Sequence, residues 1–226
     1  MAISIGCAIL VLLTAHLATT GLGHITGITE GFGLLPLFNF DAEQNIPTFF
    51  SVVLILMSAA FVFLSPHRTD DRKTPPRWIT WVITAALIFV ALDEFASVHE
   101  RIGGSLALIL PTSGIFHHAW LIPYLALCAI FAPTGWVWLR SHPIATQAQI
   151  ALAAGIFLTG AVGMEMVAGI LEAANLTPSA TSTLSFFAMT LEELLEMSGM
   201  AVFLLATFTQ ASNMRDRTNH KNAETI

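Results

Sequence analysis

Charge is scarce in this chain. Only 11% of its 226 residues are Asp, Glu, Lys or Arg, and 55% are hydrophobic. Soluble domains carry about 25% charged residues, so the composition excludes an ordinary soluble fold and fits an integral membrane protein. Basic residues are scarcer still, nine against 15 acidic ones. They form no patch with interleaved aromatics, which excludes nucleic acid as a partner. The two cysteines, Cys7 and Cys128, lie in separate apolar segments flanked by aliphatics. That spacing argues against a disulfide or a thiolate metal site and predicts two buried thiols. Also absent are a Ser-His-Asp grouping, a GxSxG elbow, a phosphate loop and a dinucleotide fingerprint. No helix carries paired histidines at the spacing of membrane haem.

Long apolar runs fill the space left by these absences. The N-terminal MAISIGCAILVLLTAHLATT lacks the basic n-region of a signal peptide and approaches the ~20 residues a spanning helix needs, so a retained helix is expected. Apolar runs bounded by polar or Gly/Pro-rich stretches predict six helices: Ala2–Thr20, Pro47–Leu64, Trp78–Ile102, Phe116–Leu139, Ala148–Ala174 and Ser182–Gln210. The expected fold is all-α, a polytopic bundle of six transmembrane helices forming one domain over residues 1–210, with a polar tail over 211–226. If the helices alternate, Arg68, Arg72, Lys73, Arg77, Arg140, Arg215, Arg217 and Lys221 share one side and only Arg101 lies opposite. The positive-inside rule then predicts cytoplasmic N and C termini in a cytoplasmic or inner membrane.

Within that frame the acids are misplaced. The third helix carries Asp93, Glu94 and Glu100 (LDEFASVHE), the fifth Glu165 and Glu172 (GMEMVAGILE), and the sixth Glu192, Glu193 and Glu196 (LEELLEMSG). At 1.5 Å per residue, Asp93, Glu165 and Glu192 each lie about 13–15 Å below the outer end of their helix. His117 and His118 (FHHAW) open the fourth helix at its outer end and face the layer of the acids, with His117 in line with Tyr124, the one tyrosine. At about 100° per residue each set of acids keeps to one face, whereas His99 points some 120° away from Asp93.

An ionised acid costs about 2.5–3.5 kcal/mol at the centre of a spanning helix. Eight carboxyls with Arg101 as their one cationic companion require protonation or a bound cation. Carboxylates mixed with imidazoles suit zinc, iron or manganese, as one ion or as a dinuclear pair. The expected ligands are Asp93, Glu94, Glu100, His117, His118, Glu165, Glu192 and Glu196, with Glu193 as general base and Tyr124 as a redox or catalytic neighbour. The Glu-x-x-His pair of soluble di-iron bundles is missing.

Blander readings stand beside this one. The EExxE cluster can be protonated and hydrogen-bonded across helices. Glu100, Arg101 and Glu172 can snorkel to water, and His16 reads better as a helix contact than as a ligand. Gly155, Gly160 and Gly163 predict close helix approach.

The functions expected are a metal-dependent intramembrane hydrolase or oxidoreductase acting on a lipid-like small molecule, a cation or proton-coupled transporter, or a non-catalytic subunit pairing its acids with a partner membrane subunit. The EExxE cluster is similar to the acidic motifs of iron permeases without their arginine. The layout resembles seven-helix zinc lipid hydrolases without their Ser, Asp and His pattern. Neither likeness assigns a role.

Overall fold

Caps and prolines start the helices where the sequence supplies them. α1 spans Ala2–Thr26. Asn45 caps α2 (Ile46–Leu64): its Oδ1 accepts the Thr48 backbone N–H at 3.1 Å, and Pro47 sits in the first turn, where a missing N–H loses nothing. Pro76 and Pro143 precede α3 (Arg77–Ala96) and α6 (Ile144–Leu158). The remaining helices are α4 (Val98–Ala107), α5 (Leu121–Arg140), α7 (Glu165–Ala173) and α8 (Pro178–Ala223). A π-helical turn, Thr159–Met164, joins α6 to α7. The computed structural model describes residues 1–26, 33, 36–65, 75–174 and 176–223. Arg68, Arg72 and Lys73 lie outside the described residues.

Six helical stretches are long and apolar enough to cross a membrane: Ala2–Gly21, Ile46–Leu64, Arg77–Ala96, Leu121–Arg140, Ile144–Ala173 and Thr181–Asn213. Much of their apolar surface faces outward, Ile3 being 83% exposed, and only lipid covers so much of it favourably. By length and composition these are the spans of an integral membrane protein.

α8 runs through the middle, packed on α1, α2, α6 and α7. Ile9 and Leu12 of α1, Leu54 and Ile55 of α2, Ala91 of α3, and Met197 and Leu204 of α8 form one buried apolar cluster. Val62, Ile79, Trp138, Ile150 and Ala206 form a second. Two glycines let the backbones touch. A Cβ on Gly199 would lie 2.6 Å from the Phe157 nitrogen, and one on Gly160 would lie 2.8 Å from the Glu192 carbonyl oxygen. Of the three glycines expected to do this, Gly160 does. Gly155 has nothing within 4 Å, and the nearest atom to Gly163 belongs to Thr159, in its own π turn.

Several boundaries differ from the sequence reading, and each difference has a local cause. The third span stops at Ala96 because Ser97 turns left-handed (φ +49°, ψ +46°), and α4 sets off as a separate helix. The Asp93 carboxylate makes that break affordable by accepting the His99 backbone N–H at 2.8 Å. The fourth helix starts at Leu121, so His117 and His118 lie on an irregular segment before it. The fifth span begins earlier, at Ile144, and α8 continues to Ala223 through most of the expected polar tail. Cys7 and Cys128 are free and exposed on the apolar outside, contrary to the expected burial.

Replacing Gly199 with Ala forces a methyl against the Phe157 backbone. Overpacking of this kind costs about 1–3 kcal/mol, so Gly199→Ala should unfold at a lower temperature in detergent. Gly155→Ala, made in open space, should match the wild type.

Candidate metal centre

One cavity of about 530 Å³ opens at the end of the bundle where the α1–α2 and α3–α5 connections lie. Seven of the eight membrane acids line it: Glu94, Glu100, Glu165, Glu172, Glu192, Glu193 and Glu196. The connections add Asp41, Glu43, His99, His117 and His118, giving nine carboxyls and three imidazoles. No lysine or arginine lines it among the described residues. Arg101 is exposed elsewhere on the surface.

Two carboxylate–imidazole pairs organise the wall. In the first, His118 Nδ1 lies 3.2 Å from Glu165 Oε1, which also accepts the Trp120 indole N–H at 2.8 Å. With Nδ1–H donated to Glu165, His118 presents Nε2 as a lone pair. That atom is buried and has no partner. His117 Nε2 lies 2.6 Å from Glu172 Oε2. The ligand atoms of His117, His118 and Glu172 fall within 4.8 Å of one another. A Cβ on Gly169 would sit 2.8 Å from that of His117, so only glycine lets α7 pack this closely against the histidine segment.

The second pair reverses an expectation. On an unbroken helix His99 points away from Asp93; the turn at Ser97 swings it back, so that His99 Nδ1 lies 3.2 Å from Asp93 Oδ2. Asp93 Oδ1 takes the Tyr124 hydroxyl at 2.7 Å as well as the His99 backbone N–H. Asp93 and Tyr124 therefore stand outside the cavity lining, engaged with each other and with His99. Trp120 and Tyr124, one turn apart on the same face, stack edge-on at 5.1 Å, and each donates to one of the two carboxylates.

Glu94, Glu192, Glu193 and Glu196 accept no hydrogen bond from the described residues. The neighbouring Thr190 does not bond them, because its hydroxyl donates to the Phe186 carbonyl at 2.7 Å. Its oxygen lies 3.1 Å from His16 Nε2, and His16 Nδ1 accepts the Phe40 N–H at 3.1 Å. His16 is fully buried and stacked on Phe40, a helix contact as the bland reading had it.

Sequence reasoning missed Asp41, Glu43, His99 and Trp120. The first two belong to a connection with only acidic charges, and that was their signal. Asn45 folds this connection inward by donating to the Asn39 and Ala42 carbonyls, at 2.5 and 2.6 Å. Burial, then the negative charge of Glu100, pushes the Asp41 carboxyl above the usual range. Burial does the same to Glu43, with Ser97 and His99 working against it. At His99 burial disfavours the protonated ring, but Asp93, aided by Glu43 and Glu100, outweighs it and raises the imidazole above its ordinary value.

These features define a class: an integral membrane protein with a deep, acid-rich and imidazole-rich cavity at one end of a six-span bundle. The chain belongs to the family described as Domain of unknown function (DUF8692), which matches residues 3–211. Neither a curated protein nor a solved structure matches it.

A histidine whose folded value is raised adds stability that is complete below the unfolded value of about 6.5 and is lost as pH rises through the folded one. In chelator-treated protein, the melting-temperature advantage of wild type over Asp93→Asn should therefore shrink as pH rises above about 6.5. A constant gap would show that the His99–Asp93 pair is not ionic.

Proposed function

We propose that this protein is a metal-dependent intramembrane hydrolase whose cavity holds a divalent cation of the zinc, iron or manganese class. The observation that carries the reading is the buried, unpartnered Nε2 of His118, on a ring whose other nitrogen is held by Glu165. An unpaired buried polar atom costs about 1–3 kcal/mol, and a carboxylate-oriented imidazole with one nitrogen open is a common metal ligand. His117 and Glu172 stand within ligand distance of the same point. Glu192 and Glu196 line the deeper wall, where their charge favours a cation.

The same site supports hydrolysis. A cation held there would acidify a water molecule, and Glu193, which lines the same cavity and accepts no hydrogen bond from the described residues, would take its proton. The water oxygen attacks the carbonyl carbon of an ester or amide. The proton held by Glu193 then passes to the alcohol or amine as that bond breaks. The spare carboxyls offer proton acceptors along the cavity, and Tyr124, bound to Asp93, stands outside its lining.

Among the described residues the polar lining of the sixth span stops at Glu196. Met197, one residue beyond Glu196, is 0% exposed, and the apolar packing of Ile55 and Leu204 continues below it. A transport path needs polar groups across the whole bilayer, so apolar packing here supports chemistry on a substrate entering from one side. The positive-inside distribution of the basic residues along the sequence supports an outward-facing mouth, within reach of lipid-like substrates.

Elemental analysis of protein purified without chelator should find at least about one zinc, iron or manganese ion per chain. His118→Ala should lose it, while His142→Ala, whose ring bonds the Trp138 carbonyl at 2.8 Å, should keep it. Glu193→Gln should retain the metal but hydrolyse a fluorogenic lipid ester about 10²–10⁴-fold more slowly. Metal-free wild type would sink the reading. Cation flux into proteoliposomes would make the protein a transporter instead.

A further inference from the structure

Charge balance leaves room for more than one ion. A single divalent cation offsets two of the nine carboxylates that line the cavity, and no lysine or arginine lines it among the described residues. Opposite the His118 group stands another arrangement of the same kind. His99 has its Nδ1 held by Asp93, as His118 has by Glu165. On the neutral ring its Nε2 is left as a lone pair. The ligand atoms of Glu43, His99 and Glu100 lie within 4.8 Å of one another. Cation–ligand bonds run about 2.0–2.6 Å, so one ion fits between them. Glu43 Oε2 is buried without a partner. Three buried side-chain atoms are orphaned in this way among the described residues, and each histidine group contains one of them.

We infer that Glu43, His99 and Glu100 form a second divalent-cation site, separate from that of His117, His118 and Glu172. This inference rests on the reading of the cavity as a cation site and adds the loop before α2 as a ligand donor. The loop is built for placement. Phe40 is tied through its backbone to His16, Asn45 closes the turn, and Glu43 is delivered beside the start of α4. On the far side, Ser97 and Asp93 turn α4 so that His99 and Glu100 face the loop. The carboxylate-rich donor set, with one imidazole, suits manganese, iron or zinc.

Equilibrium dialysis of the full-length, detergent-solubilised protein against zinc, with metal counted by elemental analysis, tests this directly. Wild type should hold about two ions per chain, Glu43→Gln about one, His118→Ala about one, and the double variant none. Glu43→Gln is nearly isosteric, and an unchanged melting temperature after chelation would certify its fold. Retention of two ions by Glu43→Gln would overturn the second site. So would a single wild-type ion that only His118→Ala removes, which leaves the first site standing. Loss of both ions in Glu43→Gln would overturn the separateness of the sites. A single ion removed by Glu43→Gln alone would support the second site and sink the first. Metal-free wild type would sink both.

Discussion

Negative charge without a matching cation, held among apolar helices, is the constraint from which the structure follows. Nine carboxyls and three imidazoles share one cavity, and neither lysine nor arginine lines it among the described residues. In water such a cluster would cost little. Between spanning helices each ionised acid carries a penalty of a few kcal/mol unless it gains a proton, a hydrogen bond or a cation. Three of the membrane acids are satisfied visibly: Asp93, at the cavity's edge, by His99 and Tyr124, Glu165 by His118 and Trp120, and Glu172 by His117. Four others, Glu94, Glu192, Glu193 and Glu196, have no such partner among the described residues. That asymmetry separates an oriented wall from an available interior.

Irregular backbone is concentrated around this cavity. Ser97 breaks the third span, the π turn interrupts the fifth, and the histidine pair sits on a non-helical segment. Irregularity at membrane depth survives only where it is buried in protein or lines a cavity, and π turns recur at functional sites. Among the described residues, the two non-glycine positions with positive φ, Gln44 and Ser97, lie beside Glu43 and two residues before His99. Such conformations persist where surrounding contacts over-determine them. Here Asn45, His16 and Asp93 supply those contacts. The opposite half of the bundle is regular and apolar, built on Val62, Ile79, Trp138 and Ile150. One half is packed apolar side chains, and the other half holds the acid- and imidazole-lined cavity.

Much of this was legible in order along the chain. Apolar run length revealed the six spans, because a bilayer imposes a minimum helix length whatever the packing. The periodicity of the acids on their helices anticipated that Glu94, Glu165, Glu172, Glu192, Glu193 and Glu196 would meet, because a charged face in lipid must turn inward. Helical phase aligns Tyr124 with His117, but its bond to Asp93 cannot be read from spacing. Glu43 lay in a connection whose fold depends on Asn45 and on His16 from another helix.

What the residues determined alone was therefore the kind of solvent, the number of spans and the turning of most of the acids toward one shared interior. Each of these depends on one-dimensional quantities: hydropathy, length and helical phase. Tertiary structure decided which imidazole pairs with which carboxylate. His99 shows why: its direction depends on a single left-handed residue whose conformation is held by Asp93, and a helical wheel assumes that no such turn exists. Side-chain contacts between separate elements overrode local phase at that point, and contacts of that kind exist only once the chain has folded.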